Sequence, residues 1–208
     1  MNLLIDPLPD TVEVGGRAWP INTAFYVGIL FELLMQDPSR TDEDKVMQAL
    51  KLFYPKIPPD IAGAMDALLW FYRCGTVTEK TEKAGESGGG HPRKAYDFEQ
   101  DADLVFAAFY GQYHIDLAEA NGLHWWKFRA LFRGLSPECE LVKAMGYRTA
   151  DLKGMGKAQR KLYEKMRELY ALKNQRSVES TLSLSERDER MKDYIAKRFA
   201  EAGVGETH

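Results

Sequence analysis

Leu123-His-Trp-Trp-Lys-Phe-Arg-Ala-Leu-Phe-Arg-Gly-Leu135 is the stretch on which the reading of the fold turns. Leu123, Trp126, Ala130 and Phe132 with Arg133 mark two faces of a helix, one aromatic and one cationic. Trp125 and Trp126 are neighbours, and one face of a helix cannot bury both. One of the two indoles is therefore expected to contact another molecule. The expected protein-binding surface comprises Trp125, Trp126, Phe128, Arg129, Phe132 and Arg133.

Helical spacing continues on both sides of this stretch. Towards the N-terminus, Leu104, Val105, Ala108 and Phe109 form an inward face behind Asp97 as a cap. Towards the C-terminus, Ser136-Pro137 opens a short helix with Leu141, Val142 and Met145. Residues 157–173 then form a charged amphipathic helix striped by Leu162, Met166 and Leu169. A polar hinge over 174–185 leads to a last amphipathic helix, 186–202, carrying Met191, Ile195 and Phe199, and to a loose tail.

The first third of the protein begins differently. Thr11-Val-Glu-Val14 alternates, and Gly15-Gly16 supplies two residues tolerant of positive φ. Arg17-Ala-Trp19 follows, so this is a β-hairpin with a two-residue turn. Three helices come next. Phe25, Ile29, Leu30, Leu33 and Leu34 recur until Asp37-Pro38 stops them. Thr41 with Asp44 starts the second as a capping box, ahead of Val46, Leu50 and Phe53. Pro58-Pro59-Asp60 launches the third, with Ile61, Met65, Leu68, Leu69 and Tyr72 inward. Between the two helical parts, Gly75 to Lys94 loses nearly all apolar side chains, and such a segment reads as a mobile loop or linker. The predicted fold is mainly α: a short N-terminal β-hairpin followed by a helical bundle, with a loop near 75–94 and a C-terminal helix. The predicted divisions are 1–74, a linker at 75–95, a helical part at 96–173, and 174–208.

The totals fit this reading. The protein has 208 residues, 45% of them apolar, which is ample for a core. It carries 28 Lys and Arg against 31 Asp and Glu. Charge is unevenly spread, with 5 basic and 10 acidic side chains in residues 1–72 but 13 basic and 5 acidic in 122–176. Cys74 and Cys139 stand in no paired spacing and read as free thiols of a reducing compartment. Met1 to Pro9 lacks the basic and apolar regions of a signal peptide. No apolar run approaches the ~18 residues that span a bilayer. The default expectation is a cytoplasmic protein with no membrane partner.

Chemistry is sparse. Gly85-Glu-Ser-Gly-Gly-Gly90 has the outer glycines of a phosphate loop, yet His91-Pro92 follows where Lys and Ser or Thr are required. Gly154-Met-Gly156 meets Gln159 where a dinucleotide fingerprint needs its third glycine. His91, His114, His124 and His208 are scattered, and none has a partner ligand at metal-binding spacing. His124, beside two tryptophans, reads as a partly buried polar contact. No catalytic residue, metal ligand or cofactor is predicted, and the protein is expected not to be an enzyme. The basic block interleaves Lys127, Arg129, Arg133, Lys143 and Arg148 with aromatics, and Lys157, Arg160, Lys161, Lys165 and Arg167 follow on a helix. It reads first as a solvated or protein-binding face, since Glu164 and Glu168 are spaced to pair with helix neighbours. A nucleic-acid face is the second reading.

The tandem-tryptophan stretch resembles the hallmark of the bacteriophage gene-product-fifteen family. Other segments agree in order: Asn2-Leu-Leu-Ile-Asp6, Phe31-Glu-Leu-Leu-Met-Gln-Asp37, Tyr54-Pro-Lys-Ile-Pro58, Leu69-Trp-Phe-Tyr-Arg-Cys-Gly75, Tyr96-Asp-Phe-Glu99 with Asp101-Ala-Asp103, and Met145-Gly-Tyr-Arg148. The resemblance covers about residues 1–172. It implies a phage protein encoded near the tape-measure gene, acting in the host cytoplasm as a tail assembly chaperone. Its implied partners are the tape measure protein, the tail tube protein and further copies of itself. A nucleic-acid-binding phage protein and a structural tail or connector component are the alternatives. Phe25, Leu33, Phe106, Phe109, Trp125, Trp126, Phe132 and the methionines offer apolar material for such binding.

Overall fold

The structure is a computed structural model, and it describes residues 2–76 and 93–173. The predicted loop core at 77–92 and the last helix at 186–202 lie outside the described residues.

The fold opens with a two-stranded antiparallel hairpin, β1 (Thr11–Val14) and β2 (Arg17–Pro20), pairing Val12 with Trp19 and Val14 with Arg17. Gly15 and Gly16 take φ of 59° and 73°. Two consecutive positive φ values make the primed turn whose twist matches the strands. Alternation buries Val12 and Val14, and β1 packs on the third helix.

Seven helices follow among the described residues: α1 (Phe25–Gln36), α2 (Asp42–Phe53), α3 (Ile61–Tyr72), α4 (Ala102–Tyr113), α5 (Trp125–Arg133), α6 (Glu140–Thr149) and α7 (Lys157–Leu169). The fold is mainly α, as the periodicity predicts. Local chemistry sets several starts. Thr41 Oγ1 accepts from the Asp44 N–H at 3.2 Å, and Asp60 Oδ1 accepts from the Gly63 N–H at 3.0 Å. Each satisfies a first-turn donor that has no helical partner.

Three local expectations need correction. Asp97 does not cap α4. Its Oδ1 accepts from the Glu99 and Gln100 N–H groups at 2.8 and 3.0 Å, closing a separate turn, and α4 begins at Ala102. The α6 helix begins at Glu140, after a turn in which the Cys139 N–H reaches Ser136 O. On α3 the buried line is Ala64, Leu68 and Phe71, with Ile61 exposed. That line faces β1 and α2, one position away from the expected stripe.

One core runs from the hairpin through α6, drawing on Val12, Phe31, Phe53, Phe71, Phe109, Trp125, Phe128 and Leu141. Residues on either side of 77–92 thus share a single apolar interior. The helix at its centre is α5, and α7 lies at the outside, packed on α6.

Candidate protein-binding site

The start of α5 is built by main-chain bonds to the entry of α1. The Phe25 N–H donates to Leu123 O at 2.8 Å, and the Trp125 N–H donates to Thr23 O at 2.7 Å. His124 is the N-cap: its Nδ1 accepts from the Trp126 N–H at 3.0 Å. The other ring nitrogen lies 3.1 Å from Pro9 O, so the neutral ring carries its proton there and donates. Burial, opposed by the hydrogen bond to Pro9, pushes the His124 pKa below its ordinary value. The expected polar contact is thus a cap that ties α5 to the N-terminal segment.

Both tryptophans are buried, which overturns the expectation that one of them faces outward. The helical argument about one face is sound, but α5 has neighbours on two sides. Trp125 points towards α1 and stacks on Tyr72 and Phe128, at ring distances of 5.2 and 5.7 Å. Trp126 packs edge-on against Trp70 at 5.7 Å and tilted against Phe71 at 5.9 Å. Each indole also donates a hydrogen bond to the end of α3: Trp125 Nε1 to Tyr72 O at 2.8 Å, and Trp126 Nε1 to Phe71 O at 2.7 Å. The last carbonyls of a helix have no partner inside it. The indoles of the tandem tryptophans therefore cap the C-terminal end of α3.

The turn after α3 completes this arrangement. The Gly75 N–H donates to Trp70 O and the Cys74 N–H to Phe71 O, with Cys74 at φ 57°. This is a Schellman closure with cysteine in the left-handed position that glycine usually takes. Gly75 follows at φ 73°, a left-handed conformation that glycine takes without strain, and a Cβ there would crowd Trp126 Cη2 at 3.0 Å.

The other predicted contacts divide. Phe128 and Phe132 are buried, Phe128 within a run of stacked rings that includes Phe25 and Phe109 at 5.1 and 4.9 Å. Arg129 is half-buried, its guanidinium 5.4 Å from the Trp125 ring centroid and its Nη1 3.4 Å from the Tyr96 hydroxyl. Arg133 alone of the six is exposed. As a group the six form a scaffold with a cationic edge.

That edge borders a polar seam with no signature in the sequence. The Tyr72 hydroxyl donates to Glu32 Oε2 at 2.9 Å. Burial first, then the Glu32 charge, push the Tyr72 and Tyr96 phenols above their ordinary pKa. Burial also raises the Cys74 thiol, against the opposing charges of Arg129 and Arg133. Lys94 bonds both Gln36 and Asp97. Burial alone would raise the Asp97 pKa, but Lys94 and the turn amides outweigh it and hold the carboxyl below its ordinary value.

Arg148 belongs to the basic block by sequence, yet it is buried. It forms a bidentate pair with Asp101 at 2.7 and 2.8 Å and donates to Ala95 O and Tyr170 O. One side chain thereby joins the segment before α4 to the end of α7. The surface charge of the block is spread over Lys127, Arg133, Lys143 and Lys153 as well as α7, where Arg160 pairs with Glu164 at 2.9 Å, as the spacing predicts. Among the described residues no three His, Cys, Asp or Glu side chains converge to hold a metal ion, and no helix is long and apolar enough to cross a membrane.

Fold and site together define a helical protein organised around a buried tandem-tryptophan helix. A family model described as Bacteriophage Gp15 protein matches residues 4–172. The protein belongs to the bacteriophage Gp15 family. No curated protein and no solved structure matches it.

Proposed function

We propose that this protein is a non-enzymatic tail assembly chaperone that binds the tape measure protein as an oligomer in the host cytoplasm. Membership of a bacteriophage family over residues 4–172 is the observation that carries the reading. A tape measure is a long helix with apolar faces, which needs cover until its tube encloses it. Binding of that kind requires exposed apolar side chains on a firm scaffold, with affinity weak enough to release.

The tandem tryptophans, committed to the core, supply the scaffold. Apolar contact is available instead from Phe106 and Tyr110, which are one turn apart on α4, exposed, and stacked at 6.0 Å with an 8° interplanar angle. An exposed, mutually stacked aromatic pair on one side of a helix is a suitable landing for an amphipathic helix. The nucleic-acid reading has less to draw on, because Arg148 is buried and Arg167 donates to Tyr147 O and Ala150 O.

Co-expression tests the proposal. The cognate tape measure protein should move into the soluble fraction and co-purify with this protein. A tape measure that stays insoluble with or without it would reject the proposal.

A further inference from the structure

We propose that copies of this protein associate head to tail, the basic face of α7 in one copy seating on the acidic face around the start of α2 in the next. The inference deepens the oligomeric part of the function proposed above.

The α7 side of the contact is an apolar stripe left exposed among the described residues. None of the helix is fully buried; it meets α6 through Tyr163 and Tyr170, which pack against Tyr147 at 5.3 and 6.0 Å, and through Arg167. Leu162 and Leu169 are seven residues apart and so share a side, and they are 54% and 70% exposed. Exposed Lys157, Lys161 and Lys165, four apart, run beside them, outnumbering the exposed Glu164 and Glu168 on that side, of which Glu164 is paired to Arg160.

The complementary face lies elsewhere on the molecule. Met35 at the end of α1 and Met47 on α2 are 38% and 41% exposed. Lys45 Nζ donates to Met35 O at 3.1 Å, which holds the two helices side by side there. Asp42, Glu43 and Asp44 are exposed at the start of α2, and Glu43 and Asp44 sit one turn before Met47 on its side of the helix. Apolar centre and charged rim therefore match α7 with the sign reversed.

Nothing among the described residues of one copy uses this match. Helix α2 packs on α1 and α3, whereas α7 packs on α6. Among the described residues no ion pair joins α2 to α7. Two α7 helices meeting face to face would set their lysines against each other, which disfavours a two-fold dimer through this face. An α7 face on an α2 face satisfies both charge sets. Because the two faces differ, the contact repeats, closing into a ring or extending as a filament.

Sedimentation of the full-length protein alone tests this, with no tape measure present, so its failure is distinguishable from failure of partner binding. At about 0.1 mM protein and low salt, average mass should be at least about twice that of the monomer, falling to monomer at about 0.5 M salt. Lys161→Glu with Lys165→Glu should be monomeric alone, and so should Glu43→Lys with Asp44→Lys. Mixed in equal amounts, the two variants should associate again, since each then offers the face the other lacks. Lys161 and Lys165 are exposed in mid-helix, so that variant should keep its unfolding midpoint. Glu43→Lys with Asp44→Lys reverses two first-turn charges of α2 and should lower its midpoint while leaving the protein folded. A monomeric wild type, variants that still associate alone, or a mixture that stays monomeric would each overturn the proposal.

Discussion

Gly28 and Trp125 occupy space that admits no side chain at the glycine: a Cβ there would lie 2.3 Å from Trp125 Cε3. The face of α1 is cut away at this one residue so that the first indole of α5 can lie flat against it. Close approach of α1 and α5 in turn places the indole N–H within reach of the last carbonyl of α3. Three helices are thus registered by one ring.

Gly28→Ala is accordingly expected to destabilise the protein by about 2 kcal/mol or more, as overpacking of a closed core does. Gly146→Ala on α6, where a Cβ meets nothing within 4 Å, should be neutral or stabilise by up to about 1 kcal/mol. Denaturant unfolding of the two variants checks this, and equal effects would show that the contact is not tight.

Removing the indole N–H groups should separate the tandem tryptophans. Phe71 O also accepts from the Cys74 N–H at 2.9 Å, whereas Tyr72 O has only the weak Cys74 Sγ contact at 3.9 Å besides Trp125. Trp126→Phe leaves its carbonyl one good bond, and Trp125→Phe leaves none. The second substitution should be the costlier by about 1 kcal/mol, the lower end of the cost of an unsatisfied acceptor, because the Tyr72 carbonyl is only part-buried. Thermal unfolding of both variants decides it.

How much of this is legible in the sequence depends on the range over which the cause acts. The hairpin follows from Gly15-Gly16, and the start of α2 follows from Thr41 and Asp44, because the partners lie within four residues. The inward face of α4 follows from periodicity, but that of α1 only in part: Phe25, Leu30 and Leu34 are buried as expected, whereas Val27 and Phe31 are buried too and Ile29 and Leu33 only half so. The fate of Trp125 and Trp126 does not follow from it, since a period says which residues share a face but not how many faces are covered. Asp101 and Arg148 stand 47 residues apart, and no local pattern announces that they meet. Periodicity places Phe109 on the inward face of α4 and leaves Phe106 off it, and the structure buries the first and exposes the second.

The Asp101–Arg148 pair supplies a further prediction. Arg148→Met leaves a carboxylate in the interior and should cost about 3–5 kcal/mol. Adding Asp101→Asn removes that charge and should recover at least about half of the loss. A double-mutant cycle with purely additive effects would mean the two groups do not interact.

Acid should weaken the fold at His124. Its pKa in the folded protein lies below the ordinary 6.5. The unfolded protein thus binds the proton first as pH falls, and stability is lost progressively below pH 6.5 towards the folded value. Protonation also removes the Nδ1 acceptor of the α5 cap. His124→Asn keeps a capping oxygen and should flatten the dependence of unfolding midpoint on pH between about 7 and about 5.

Trp125 and Trp126 hold the core together, so in the function proposed above partner binding falls to exposed apolar side chains. Affinity of the folded protein for its cognate tape measure protein, measured for the wild type and for Phe106→Ser with Tyr110→Ser, tests that division most directly. The predicted result is at least about a tenfold loss of affinity with an unfolding midpoint close to that of the wild type. Unchanged affinity in the double variant, or no binding by the wild type, would contradict it.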